Sequence, residues 1–206
     1  MRSPAFLKSV TTCLIILLWS TSCLADNAPF GLNWGMTKSQ AKTQGLEIYP
    51  IDQEFGLELF VAKELPKDLS IVKGHYELTF DSNRGLQQVK MVSQKIENDP
   101  SGNKGKELFS KLKTALIKKY GEPIVNYQRV NNKLSDSDNK FYQCLSDSEC
   151  GGWMVIFGNN NMSINLELEG TPQAEGQIYL VYSGPNWVQV LEEVDKREAK
   201  SLEEAL

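Results

Sequence analysis

Cys144 and Cys150, separated by Leu-Ser-Asp-Ser-Glu, are the side chains whose types and spacing speak most directly of chemistry. In an exported chain an even pair of thiols is most simply a disulfide, here closing a small loop. A redox pair would favour Cys-x-x-Cys, and a zinc site needs more ligands than two thiols and a distant imidazole. That imidazole is His75, the single histidine of the chain. The chain-entropy argument gives a bridge of this size about 2.3 kcal/mol of stabilisation.

Other constellations fall short of the chemistry they resemble. Gly102-Asn103-Lys104-Gly105-Lys106-Glu107 has the look of a phosphate loop, but Pro100 stands where a Gly is needed and Glu107 where a Ser or Thr should hold magnesium. Asp136-Ser137-Asp138 resembles the opening of a calcium loop, yet Lys140 and Phe141 occupy its fifth and sixth positions. His75 could serve as a general base, but Gly-x-Ser-x-Gly is absent and no nucleophile is evident. Glu167 and Glu169 share one side of an alternating stretch and read as the wet side of a sheet rather than as paired catalytic acids. Lys104, Lys106, Lys111, Lys113, Lys118 and Lys119 give one segment a basic face, read as solvated or as suited to an anionic surface. Trp34, Trp153 and Trp187 read as core or seam residues able to anchor a partner. The expectation is a protein without catalytic residues, metal or cofactor.

Composition sets the class. The 206 residues are 41% apolar and 23% charged, ordinary for a folded chain, and 26 acidic residues outnumber 22 basic ones, which argues against a nucleic-acid binder. Arg2 and Lys8 precede the hydrophobic centre Val10–Trp19, and small or polar residues lead to Ala25, the layout of a secretory signal, whose uninterrupted apolar run Leu14–Trp19 is too short to span a bilayer. Cleavage is expected after Ala25, placing the mature protein in the periplasm or outside the cell. Lipid attachment at Cys23 is the alternative, although Ser20 stands where a lipoprotein signal wants Leu. No transmembrane span is expected.

The elements that must position these residues follow from periodicity. Thr37 and Gln40 form a capping box ahead of a short helix that Gly45 stops. Phe55–Val61 and Tyr76–Phe80 alternate as strands, and Asp81–Gly85 turns into a further strand over Leu86–Ser93. Leu108, Leu112, Ala115, Leu116 and Tyr120 make one apolar stripe, predicting a helix over Lys104–Tyr120 that Gly121 and Pro123 end. Strands are predicted over Ile124–Val130, Trp153–Phe157, Met162–Leu168 and Ile178–Tyr182, with a long polar loop over Asn131–Glu149. A charged helix starts at Pro185 or Asn186, with Glu192–Lys196 and Glu193–Arg197 one turn apart. The predicted class is α+β, an antiparallel sheet with helices on one face. It divides into a signal over 1–25, two tandem helix–four-strand units over 26–100 and 101–183, and a C-terminal helix over 184–206.

Phe30-Gly31-Leu32-Asn33-Trp34-Gly35-Met36-Thr37 before one helix, and Lys118-Lys119-Tyr120-Gly121-Glu122-Pro123 after another, resemble motifs of small exported bacterial proteins built on helix–four-strand repeats. β-Lactamase inhibitor protein and the small lipoproteins of outer-membrane assembly are similar in layout, as are secreted proteins with a Trp-Gly-Met-Thr helix start. The resemblance implies a non-catalytic module that binds an envelope or secreted protein, as inhibitor or assembly factor. A small-ligand or lipid carrier, or a carboxylate-dependent envelope enzyme, is the alternative. With Met162, Ile164, Leu166 and Leu168 inward, the polar side of the sheet is the expected partner surface. Glu58, Glu77, Thr79, Ser163, Asn165, Glu167 and Glu169 are expected on it, with Phe60 and Tyr179 as aromatic anchors.

Overall fold

A computed structural model describes residues 27–131, 140–159 and 162–206. The segment expected to be a secretory signal, with Cys23, and Asp136-Ser137-Asp138 lie outside the described residues. Helix α1 (Lys38–Thr43) begins at the predicted capping box: Gln40 N–H donates to Thr37 Oγ1 at 3.2 Å and Thr37 N–H to Gln40 Oε1 at 2.7 Å. Strands β1 (Ile48–Glu54), β2 (Leu57–Ala62), β3 (Gly74–Asp81) and β4 (Gly85–Ser93) follow as antiparallel neighbours. Helix α2 (Asn103–Tyr120), β5 (Val125–Val130), helix α3 (Phe141–Leu145), β6 (Gly151–Asn159), β7 (Met162–Gly170) and β8 (Gly176–Ser183) come next, and α4 (Trp187–Ala205) ends the chain.

All eight strands form one antiparallel sheet in the order β1-β2-β3-β4-β8-β7-β6-β5. The last strand of each helix-and-strand run therefore meets the other at the centre, pairing Gln88 with Ser183 through to Val92 with Tyr179. Polar side chains fasten this seam. Gln88 Nε2 donates to Ser183 Oγ at 3.2 Å, Ile178 N–H to Ser93 Oγ at 2.9 Å and Gln177 Nε2 to Ser93 O at 2.7 Å.

Alternation assigns the two faces. Phe60, Ala62, Tyr76, Leu78, Phe80, Val89, Met91, Val155, Phe157, Ile164, Leu166, Leu168, Ile178, Leu180 and Tyr182 are all buried on one face. α2 covers it with Phe109, Leu112 and Leu116. Leu112 and Leu116 belong to the stripe the spacing predicts, but Phe109, outside that stripe, is the third buried residue, while Leu108 and Tyr120 are only half-buried and Ala115 is exposed. The segment before α1 adds Phe30, Leu32, Trp34 and Met36 to the same core, where Phe30 lies 5.0 Å from the Tyr76 ring and 5.5 Å from the Tyr182 ring. Phe109, Leu112 and Leu116 thus join the sheet's apolar face in one continuous core cluster.

The polar loop expected over Asn131–Glu149 contains α3 instead. Phe141, Tyr142 and Cys144 are buried there, and Tyr142 fits over Gly176, where a Cβ would meet its ring at 2.1 Å. The predicted disulfide is present between Cys144 and Cys150, with Cα atoms 5.1 Å apart. Because it tethers a buried helix and not a free loop, reduction is expected to cost about 2 kcal/mol. Urea unfolding with and without reductant measures this, and thiol labelling of the unreduced native protein should find neither cysteine free.

Candidate functional site

The opposite face of the sheet carries two adjacent rows of side chains. Register places His75, Val92, Tyr179, Glu167, Met154 and Tyr127 in one row. Tyr49, Val61, Glu77, Lys90, Val181, Asn165, Ile156 and Val125 form the other. Neither α1 nor α2 covers these residues, and most are half-buried or exposed.

At the seam the charges interlock. Lys90 Nζ stands 3.0 Å from Glu77 Oε2 and 4.9 Å from the centre of the Tyr179 ring, and His75 Nε2 is 3.5 Å from Glu77 Oε1. Tyr179 O–H donates to Gln177 Oε1 at 2.9 Å, and Asn165 Nδ2 donates to Glu167 Oε2 at 3.3 Å. Partial burial, then Glu169, Glu77 and Glu167, raise the Tyr179 hydroxyl above its ordinary pKa. Glu169 is likewise raised, by burial first and Glu167 second, with Lys90 opposing. Three carboxylates thus act on Tyr179 while Lys90 pairs with Glu77, which makes this centre acidic.

Tyr179, Glu77, Thr79, Glu167 and Glu169 thus lie on the expected face. Phe60 does not. It is 7% exposed on the helix side, edge-on to Phe80 at 5.6 Å, and Glu58 turns the same way to pair with Lys38. The period of this strand is as predicted but its faces are reversed. Leu57 and Leu59 lie opposite and, with Thr79, line a cleft of about 260 Å³ beneath Trp187 and Val194 of α4. α4, whose Val190 is fully buried, thus covers one end of the otherwise open face.

The remaining constellations are absorbed by the fold. Asp99 Oδ2 accepts the Gly105 N–H at 3.1 Å, so a carboxylate of the chain itself occupies the start of α2, where the phosphate-loop resemblance would place an anion. Lys106 lies 3.9 Å over the Phe141 ring and donates to Ser101 O at 2.8 Å, and burial lowers its pKa. Lys111 pairs with Glu107 at 2.6 Å and Lys113 donates to Asn126 Oδ1 at 3.1 Å, so the basic face of α2 is partly consumed internally. Among the described residues, no three His, Cys, Asp or Glu side chains converge to hold a metal ion.

A cleft of about 320 Å³ lies between the 63–73 loop and the start of β3, lined in part by Asp68, Val72, Lys73, Tyr76 and Met91. Burial is the first cause of the raised Tyr76 hydroxyl there. No helix among the described residues is long and apolar enough to cross a membrane. No family model matches the chain, and comparison with curated proteins and with solved structures gives no match.

Proposed function

We propose that this is an exported, non-catalytic protein-binding module of the cell envelope that docks its partner on the open sheet face. The observation that carries this reading is the pair of rows centred on Tyr179. They place tyrosines and a methionine, residue types enriched at interfaces, around an acidic centre on one uncovered sheet face. The tandem helix-and-strand order and the disulfide are compatible with the inhibitor or assembly-factor role implied by the sequence resemblance. A carrier role draws less support, because α2 packs Phe109, Leu112 and Leu116 into the core cluster and neither cleft described above is lined by α2.

Replacing Tyr179 with Ala should weaken partner binding by about 2 kcal/mol, roughly 30-fold. Loss of its contact with Lys90 should lower stability by about 1 kcal/mol or less. The test is capture of a partner from envelope extract by the mature protein, followed by titration of both forms and thermal melts. A variant that binds normally, or that unfolds, removes Tyr179 from the surface. Turnover of an envelope substrate without any protein partner would defeat the binding reading itself.

A further inference from the structure

The two edges of the sheet are built differently. β1 carries Pro50, which has no N–H, a register irregularity between Pro50 and Asp52, and the acidic Asp52 and Glu54. These are devices that discourage further strand pairing. β5, at the other edge, is Val-Asn-Tyr-Gln-Arg-Val and pairs with β6 in unbroken register from Val125–Ile156 to Val130–Gly151. Ile124, Val125 and Tyr127 are 70%, 39% and 43% exposed along it.

The hydrogen-bond phase of β5 is fixed. Asn131 N–H donates to Cys150 O at 2.7 Å, one step beyond the Val130–Gly151 pair. Alternation then turns the N–H groups of Arg129, Tyr127 and Val125 toward β6 and those of Asn126, Gln128 and Val130 outward. Ile124 N–H also donates to Ile156 O at 2.8 Å, the residue opposite Val125, so the irregularity of this edge is confined to the step before β5. Three backbone N–H groups with their carbonyls thus face outward from a β-prone strand, and among the described residues no strand pairs with that side.

The flanking charges select what can pair there. Lys113 reaches over the helix side of the edge to Asn126, and Arg129 is exposed on the other side. A second copy added about a two-fold axis would bring two Lys113 and two Arg129 to one ladder, so self-pairing is disfavoured. We propose that β5 is a strand-addition site for an extended segment of a partner protein carrying acidic side chains on both of its faces, bonded through Asn126, Gln128 and Val130. This site is the sheet edge and is separate from the face centred on Tyr179.

The probes are a short peptide of Thr and Val with two adjacent Glu at its centre, which puts one carboxylate on each side of the added strand, and the same peptide with Lys for Glu. Added to the mature protein, the acidic peptide should slow hydrogen exchange at Asn126, Gln128 and Val130, and the Lys peptide should bind at least about tenfold more weakly. Gln128→Pro deletes an outward N–H without touching the β5–β6 ladder and should abolish binding of the acidic peptide. Should that variant fail to fold, Arg129→Glu serves instead and should reverse the preference between the two peptides. Equal binding of both peptides, protection centred on Tyr179, edge amides already slow in the free monomer, or protection that rises with protein concentration alone would each overturn the proposal. So would failure of the acidic peptide to bind.

Discussion

Replacing Tyr142 with Ala should lower the unfolding free energy by about 4 kcal/mol, whereas Tyr142→Phe should cost about 2 kcal/mol. Tyr142 is fully buried, its O–H donates to Asp99 Oδ2 at 2.8 Å, and that same oxygen accepts the Gly105 N–H at the start of α2. Burial first, and Asp99 second, raise the hydroxyl well above the ordinary tyrosine range, so it serves as a permanent donor. The residue therefore ties α3, the 94–102 connection and α2 together, while its backbone carbonyl lies where a Cβ on Gly170 would come within 1.8 Å. Alanine leaves an aromatic-sized cavity and a buried carboxylate short of a donor. Phenylalanine keeps the volume and removes only the donor. Urea unfolding followed by far-ultraviolet circular dichroism measures both, and a Phe variant as stable as the wild type would show that the Asp99 bond adds nothing net.

That knot is the part of the fold least visible in the sequence, for physical reasons. α3 runs only from Phe141 to Leu145, too short for a helical repeat to register, and it sits among Ser, Asp and Asn residues that read as loop. Asp99 belongs to a Pro/Gly-rich boundary whose carboxylate is satisfied only by partners 6 and 43 residues away. By contrast Met162–Leu168 is legible because its apolar residues all fall on one side and its polar residues on the other. The period leaves no choice of face. β2 has Leu57, Leu59 and Val61 on one side and Phe60 and Ala62 on the other, so alternation finds the strand without deciding which side is buried. That choice depends on α4, over a hundred residues later, which covers Leu57 and Leu59 and leaves Phe60 to the core with Phe80. Tyr179 falls on the open face because its strand neighbours Ile178 and Leu180 are both fully committed to the opposite one.

The attachment of α4 also rests on a residue that sequence pattern marks only as part of a turn. Replacing Asp81 with Ala should cost about 3 kcal/mol, and Asp81→Asn only about 1 kcal/mol. Asp81 is 2% exposed, and its Oδ1 accepts the N–H groups of Asn83 and Arg84 at 3.0 and 2.9 Å, closing the β3–β4 turn. That turn needs Gly85 at φ 68°, since a Cβ there would lie 2.4 Å from Gly35 O. Asp81 Oδ2 faces Arg197 of α4 at 3.4 Å, the Arg197 guanidinium fills the space where Gly56 lacks a side chain, and Arg84 grips Glu193 of α4 through two hydrogen bonds at 2.8 and 2.6 Å. Glu193 and Arg197 approach one another to 4.0 Å along the helix, so both members of that predicted pair also reach across to the hairpin. Asparagine preserves the acceptor that closes the turn and gives up only the charge, which faces Arg197 at 3.4 Å and Arg84 at 3.8 Å, whereas alanine removes both. Hydrogen exchange should separate the two losses: amides of α4 near Arg197 exchange faster in both variants, those of Asn83 and Arg84 only in the alanine variant. Unchanged protection of α4 in both would mean that Val190 and Trp187 hold the helix without the ion pair. If α4 does loosen, Leu57, Leu59 and Thr79 join the uncovered rows of the sheet, so the same carboxylate that closes a turn also sets how far the open face extends.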